Sequence, residues 1–367
     1  MRSLIATAAV VLTLFLPPAA QGQGAPAKAD KKPKKEKPAR DSAAGPAPVP
    51  KLFQTEAPLP VTFTTNIGQL RGDRADKEPW RWATFTYPDS AGKPVPVPVR
   101  AKTHGIWRLK HCDFPPVRLH FTNKEVKHTV FHDVEKPKLV NYCRDSDVYE
   151  QYILQEFMLY RVYQMLTPVS HRVRLLKVAY VDSASGKREA SRYSFLIEDP
   201  DQLAARLNAT QVKIKGSSAD DLDHFQLALA YIFEYMIGNT DYSFNGLHNT
   251  ELFGANDGRI LPVAYDFDYA GAVNTSYATP DPAFNIRSVR ERRFRAYCKL
   301  ADEFQNALPV FIQKKDAIYA LYSDPVGKLL DPRLAKQTLA YFDDFYESVA
   351  TPQAAERNVF SNCQGPR

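Results

Sequence analysis

The hydrophobic pattern changes at Glu198-Asp199-Pro200, and this change limits the folds open to the chain. From Val61 to Cys143, apolar and polar residues alternate in short runs separated by turns, as in Val117-Arg118-Leu119-His120-Phe121. Period-two alternation with β-branched and aromatic residues predicts an antiparallel sheet. After Pro200 the pattern is helical, apart from one hairpin. The sequence therefore predicts an α+β protein with a β-rich part over residues 59–199 and a mainly α-helical part over residues 200–367.

Further strands are expected within the β-rich part. Val173–Val181 and Tyr193–Ile197 alternate and are joined by a Ser/Gly turn. Val95–Arg100 also alternates, but Pro96 and Pro98 lack the N–H that a central strand donates. Proline therefore confines that run to the edge of a sheet.

One helix, Val148–Leu166, is predicted inside the β-rich part, and it carries Glu156. The residues three and four positions from Glu156 are apolar or aromatic: Tyr152, Ile153, Leu159 and Tyr160. A carboxylate on such a buried stripe needs a cation or a proton. Glu156 is thus a candidate functional residue, with a buried structural carboxylate as the alternative.

The first residues are typical of an export signal. Arg2 precedes the apolar run Leu4–Leu16, which is followed by Pro17-Pro18 and small residues. The run is too short to span a bilayer and has the layout of a cleaved secretory signal over residues 1–22. No later stretch has the length and apolarity of a transmembrane segment. We therefore expect a periplasmic or extracellular protein without a transmembrane segment.

Residues 23–58 are rich in Ala, Pro and Lys, which predicts a disordered linker. This segment also accounts for the basic charge. Residues 28–40 contain seven Lys or Arg and two acidic residues, whereas the whole chain has a net charge of +7. Because Arg2 adds one more positive charge, residues 41–367 carry only about +1. The globular part lacks the basic excess of a nucleic-acid-binding protein, so nucleic acid is not an expected partner.

Four cysteines lie beyond the predicted signal: Cys112, Cys143, Cys298 and Cys363. An even number in an exported chain favours disulfides. No Cys-x-x-Cys or Cys/His spacing indicates a zinc site.

Two polar segments flank the predicted hairpin in the second half. Gly238-Asn239-Thr240-Asp241 follows an apolar helix, Asn249 directly precedes the first hairpin strand, and Asp266 follows the second. This order brings Asp241, Asn249 and Asp266 to the same end of one hairpin. Phosphoryl transfer requires a carboxylate that orients a hydroxyl, and an Asn and an Asp that hold magnesium on nucleotide phosphates. The alternative is that these residues simply form turns.

With these residues, the chain resembles the CotH family, the spore-coat-protein-H-like kinases, over about residues 95–295. The resemblance rests on four segments: Lys102-Thr103-His104-Gly105, Leu196-Ile197-Glu198, Gly238-Asn239-Thr240-Asp241 and Tyr265-Asp266-Phe267-Asp268. It implies a two-lobed protein-kinase-like fold, with a β-rich N-lobe containing one embedded helix and a mainly α-helical C-lobe.

The resemblance also implies roles for individual residues. Asp241 would be the catalytic acid/base residue, Asp266 a magnesium ligand, and Glu198 the hinge whose backbone meets adenine. Asn249 would be the second metal ligand because it precedes the strand, although Asn245 fits the usual kinase spacing better. Asp268 replaces a glycine of the kinase pattern and is a further candidate ligand.

The phosphate-binding lysine has no clear match, and several residues remain candidates for binding the nucleotide. They are Gly105, Arg100, Arg118 and Lys138, together with Glu156, which would pair with the cation that binds the phosphates. The sequence thus predicts an exported kinase that binds ATP with Mg²⁺ or Mn²⁺ and phosphorylates a hydroxyl of a protein or envelope substrate. A catalytically inactive binding module of the cell envelope, and transfer of a nucleotidyl group, remain open, and the sequence leaves the oligomeric state open.

Overall fold

The alternating runs of the first half form seven strands in the computed structural model, which describes residues 48–75 and 78–366. The strands are β1 (Leu59–Thr65), β2 (Arg81–Pro88), β3 (Pro94–Thr103), β4 (Val117–His120), β5 (Lys138–Val140), β6 (Val173–Asp182) and β7 (Arg188–Ile197). They pair in the order β1-β2-β3-β4-β5-β7-β6, and β6 pairs with β1 to close a barrel.

The prediction of a two-lobed protein-kinase-like fold is wrong, because the β-rich part is a closed seven-stranded barrel. The closing strand β1 pairs antiparallel with β2 and parallel with β6, where Leu59 faces Leu176 and Thr65 faces Asp182. The expectation of a purely antiparallel sheet is wrong at this pair. Alternation shows which face of a strand is buried, but it does not identify the neighbouring strand.

Strand β3 lies between β2 and β4, yet its prolines have a neighbouring strand on one side only. Pro96 and Pro98 face β2 only, because β4 pairs with β3 no earlier than Arg100. The prediction of an edge therefore holds for this half of the strand and not for the half from Arg100 to Thr103.

The described residues contain nine α-helices and a second, three-stranded sheet. The helices are α1 (Ile67–Gly72), α2 (Trp107–His111), α3 (Asn123–Val126), α4 (Asp147–Leu166), α5 (Pro200–Arg206), α6 (His224–Ile237), α7 (Ala301–Leu321), α8 (Pro332–Ser348) and α9 (Pro352–Asn358). The second sheet has the order β10-β9-β8, formed by β8 (Ala209–Val212), β9 (Thr250–Ala255) and β10 (Ile260–Ala264). The predicted hairpin is β9–β10, and β8 extends it.

Helix α6 is the buried centre of the second half, as its apolar sequence predicts. Its side chains pack with those of α4 and α7 in one hydrophobic core. Ser218 and Asp221 form a capping box on a short 3-10 turn, and α6 begins only at His224 with Asp223 as its N-cap. Gly238 ends the helix in the left-handed conformation, with φ +68°.

Replacing Gly238 with Ala should destabilise the fold by more than about 2 kcal/mol. A side chain at φ +68° is strained, and its Cβ would lie only 1.9 Å from the hydroxyl of Tyr341. Urea unfolding of Gly238→Ala, Tyr341→Phe and the double variant measures this effect. The double variant should lose less stability than the sum of the two single changes; additive losses would show that the hydroxyl is not the obstacle.

Two disulfides and residues 48–58 tie the described residues together. Cys112 bonds to Cys143 beside the barrel, and Cys298 bonds to Cys363 in the helical part, which confirms the prediction of disulfides. Residues 48–58, the end of the predicted linker, contact the rest of the chain: Leu52 is buried and Glu56 pairs with Arg161 at 2.6 Å. Residues 1–47, with the predicted signal peptide and most of the predicted linker, lie outside the described residues. None of the described helices is long and apolar enough to cross a membrane.

Candidate functional site

The side chains of Asn239 and Arg295 hold the backbone of the loop that carries Asp241. The side-chain oxygen of Asn239 accepts the N–H of Asp241 at 3.0 Å, which is an Asx turn directly after α6. Arg295 donates to the carbonyls of Thr240 and Tyr242 at 2.6 and 2.7 Å. These bonds fix the backbone around Asp241, while its side chain stays 38% exposed.

Asn249 and His248 both bind the carboxylate of Asp241. Nδ2 of Asn249 donates to Oδ2 at 3.0 Å, and Nε2 of His248 donates to Oδ1 at 2.9 Å. The hydrogen bond with Asp241 raises the pKa of His248. Since Nδ2 of Asn249 is engaged, its side-chain oxygen remains the atom that is able to bind a cation.

The hairpin brings Asp266 to the same place, as the sequence order predicted. The N–H of Tyr265 donates to the carbonyl of Asn249 at 3.0 Å, so Asp266 lies one residue beyond the last ladder bond. Asn249 and Asp266 both have a positive φ, 51° and 67°. Asn and Asp adopt this conformation more readily than other non-glycine residues, and here it turns the backbone at both strand ends.

Behind this loop, three acidic side chains share a buried environment. Burial raises the pKa of Asp268 to about 7, and it also raises the pKa of Asp266 and, strongly, of Glu156. The charges of Asp266 and Asp268 raise the pKa of Glu156 further, whereas the Arg108 guanidinium lowers all three. The hydroxyl of Tyr277 donates to Asp268 at 3.0 Å.

A row of cations crosses the outer face of the barrel. Lys102 faces Arg118 on the next strand, and Arg118 faces Lys138 on the one after. Lys138 lies 3.9 Å from Glu251 and 3.9 Å from the centre of the Tyr265 ring. Because Tyr265 directly precedes Asp266 in the chain, this contact places the row of cations beside the carboxylates.

His104 lies where these cations converge with Arg108. Burial, and the charges of Lys138, Arg118 and Arg108 in that order, hold the pKa of His104 well below its usual value. Its Nε2 is buried and has no hydrogen-bond partner among the described residues. A neutral imidazole adds no charge of its own, so the cations around it attract anions to this place.

Several predicted site residues lie elsewhere. Arg100 stacks on Trp82 at 4.5 Å on the exposed side of the barrel. Asn245 is tied to the 216–217 segment, donating from Nδ2 to the carbonyl of Ser217 at 3.2 Å. Glu156, by contrast, lies at the site, but the cation that it faces is Arg108 and not a lysine.

Two further predicted residues belong to the surroundings of the site. Gly105 is exposed at φ +92° between His104 and the start of α2. Glu198, predicted at an adenine-binding hinge, accepts bonds from Arg206 at 2.9 Å and from the N–H of Arg172 at 3.0 Å. Its own N–H donates to the carbonyl of Arg172 at 2.9 Å, so that backbone donor is engaged.

The sequence reasoning gave no role to three residues that complete this geometry. Lys102 belongs to the quoted Lys102-Thr103-His104-Gly105 segment, and its alternation with Arg100 places it on the outer face. Tyr277, nine residues after Asp268, had no local signal. Tyr160 accepts the N–H of Asp266 at 2.8 Å, although its place in the sequence indicated only a helix core residue.

Among the described His, Cys, Asp and Glu residues, no three lie close enough to form a metal site by themselves. Comparison of the sequence with protein-family models finds no match. Comparison with curated proteins also finds none.

Proposed function

We propose that the protein is a metal-dependent phosphotransferase that uses a nucleoside triphosphate, with ATP as the donor the resemblance implies. The proposal rests on one observation: Arg108 and Lys138 lie close to the carboxylate of Asp266, and Arg118 faces Lys138 on the neighbouring strand. A metal-bound triphosphate needs both kinds of group, because its oxygens bind cationic side chains and its metal binds carboxylates.

The residues present fit a magnesium or manganese ion that is shared with phosphate oxygens. Mg²⁺ is commonly bound by one or two carboxylates plus substrate phosphates, so a cluster of three acidic ligands is not required. No hydrogen bond from the described residues reaches the carboxylate of Asp266, and the amide oxygen of Asn249 is free. Asp266 and Asn249 would therefore hold the ion, with Asp268 beside them. When bound, the metal would neutralise charge on the transferred phosphoryl group.

The other side chains have distinct roles in this proposal. Arg118, Lys138 and Arg108 would bind the phosphates, and His104 would add its Nε2 at the floor of the pocket. Asp241 would accept the proton of the acceptor hydroxyl as its oxygen bonds to the γ-phosphorus. The bond from that phosphorus to the bridging oxygen breaks, and the nucleoside diphosphate leaves with the electron pair.

The export that the sequence predicts indicates the class of acceptor. Two disulfides favour an oxidising compartment. A hydroxyl of an envelope or extracellular protein or polymer is therefore the acceptor we propose.

Replacing Asp266 with Asn should weaken metal-dependent ATP binding at least about tenfold, since the neutral amide loses the charge that binds the ion. Titration calorimetry with ATP, with and without Mg²⁺ or Mn²⁺, measures this change. Asp257→Asn, in the turn at the far end of the same hairpin, is the matched control and should bind like the wild type.

Two results would contradict the proposal. The first is the absence of metal-dependent ATP binding by the wild-type protein. The second is equal binding by Asp266→Asn. Binding that depends on Asp266 but gives no ADP with any acceptor would instead favour the non-catalytic binding module.

A further inference from the structure

A cavity of about 480 Å³ lies between the first half of α4, residues 272–274 and the start of α8. This volume is in the range of small-molecule sites. It is separate from the candidate phosphotransfer site, because Glu156 reaches that site and its neighbour Gln155 lines the cavity. Adjacent residues of a helix point about 100° apart, so α4 presents a different face to each site.

Gln155 is buried in the cavity wall without a hydrogen-bond partner for its amide nitrogen. The residue is only 4% exposed, and Nε2 has no partner among the described residues. Gln151, one turn earlier, is a useful contrast. Its Nε2 donates to the carbonyl of Leu329 at 3.4 Å, and its Oε1 accepts the N–H of Asp331 at 2.8 Å. Gln151 thus joins α4 to α8, whereas Gln155 keeps an unpaired donor buried in the wall of the cavity.

The cavity wall carries two acids, each with a partner on the chain, and two arginines. Asp147 pairs with Arg192 at 2.6 Å, and Asp331 caps α8 by accepting the N–H of Arg333 at 2.7 Å. The guanidinium of Arg333 makes no interaction with the described residues. Arg290 has one bond, from Nη1 to the carbonyl of Gly271 at 3.1 Å, and its guanidinium lies 4.5 Å from the Tyr341 ring. Both acids are therefore engaged, and both arginines retain free donors.

Two more uncharged side chains with unused donors line the same cavity. Gln337 on α8 and Asn274 on the facing loop make no side-chain hydrogen bond with the described residues. Amides that both donate and accept, placed around one or two arginines, match a ligand with hydroxyl groups and an anionic group.

We propose that this cavity binds a small polyhydroxylated anion, such as a sugar that carries a phosphate or a carboxylate. Arg333 and Arg290 bind the anionic group. Gln155, Gln337 and Asn274 bind the hydroxyls, and Gln155 gains the partner that its amide lacks. The inference does not depend on the proposed phosphotransferase activity.

Titration calorimetry with glucose 6-phosphate, glucuronate and glucose tests this site. At least one of the two anions should bind, and glucose should bind at least about tenfold more weakly than that anion, since a charge-assisted bond is lost. A preference between the two anions identifies phosphate or carboxylate as the recognised group.

Variants then locate the bound probe. Arg333→Gln and Gln155→Leu should each raise the Kd of the anion at least about tenfold. Lys336→Gln, an exposed change on α8 outside the cavity wall, should leave it unchanged. Arg118→Gln should also leave it unchanged, because Arg118 lies in the other pocket.

Three results would overturn the inference: no binding of either anion, equal binding of glucose, or an affinity that falls in Arg118→Gln and not in Arg333→Gln. Circular dichroism checks that each variant is folded. If Gln155→Leu does not fold, the exposed Arg333→Gln still decides the outcome.

Discussion

Replacing Asp241 with Asn should lower the rate of phosphoryl transfer about a thousandfold while changing the affinity for ATP less than about threefold. The amide has nearly the same shape, but it does not accept the proton of the attacking hydroxyl. The structure of the loop separates proton transfer from ATP binding, because Asn239 and Arg295 fix the backbone around Asp241 and its carboxylate does not. The release of ADP from ATP, measured with a hydroxyl acceptor or with water, gives the rate, and calorimetry gives the affinity.

One control makes this result specific. Asp257→Asn changes another acidic residue of the hairpin, where the side chain pairs with Arg259 at 2.7 Å and is far from the loop of Asp241 along both strands. It should retain the wild-type rate. A rate within about tenfold of the wild type in Asp241→Asn would remove Asp241 from the proton-accepting role.

The second large effect concerns stability and comes from Glu234 in the middle of α6. This residue is fully buried, and neither carboxyl oxygen has a hydrogen-bond partner among the described residues. Burial raises the pKa of Glu234 to about 8, although Asn239 and Arg295 oppose the shift; Asp241 adds to it. The ordinary value is 4.5.

The direction of the pH effect follows from this difference. Between pH 4.5 and 8 the unfolded chain releases the Glu234 proton while the folded protein retains it. The folded state then binds more protons than the unfolded state, so the free energy of unfolding decreases as the pH rises through this range. Above pH 8 both states are ionised, and the full cost of a buried charge is present.

Glu234→Gln should remove this loss of stability. Relative to the wild type, the variant should gain roughly 4–5 kcal/mol between pH 4.5 and pH 9, since each unit of pKa shift corresponds to about 1.4 kcal/mol. Urea unfolding at several pH values measures the gain. Glu347→Gln, an exposed change on α8, should leave the pH profile of the wild type unaltered. Parallel profiles for Glu234→Gln and the wild type would show that Glu234 is not the group that titrates.

Glu234 also shows where reasoning from the sequence alone reached its limit. The helix was predicted from its apolar residues, and a single Glu in that run gave no sign of its environment. Of the three acids behind the Asp241 loop, the sequence indicated burial for Glu156 only, and their pKa values depend on each other and on Arg108. The partner of a buried charge is set by packing, which brings together residues that are distant in the chain.

Local signals in the sequence determined much of this protein by themselves. The strand runs, the long helix ending at Leu166, the left-handed Gly238 and the box of Ser218 and Asp221 all depend on residues a few positions apart. The hairpin placed Asn249 and Asp266 together for the same reason, because a short turn pairs its two strands in one way.

Tertiary structure alone decided the closure of the barrel and the identity of the cations at the site. Whether Arg118 or Lys138 binds an anion was open in the sequence, and the register of β4 and β5 makes them neighbours. The parallel pairing of β1 with β6 closed the sheet and excluded the predicted two-lobed fold. The physical reason is the same in both cases: an alternating pattern specifies the buried face of each strand, and the choice of its neighbour depends on contacts across the whole domain.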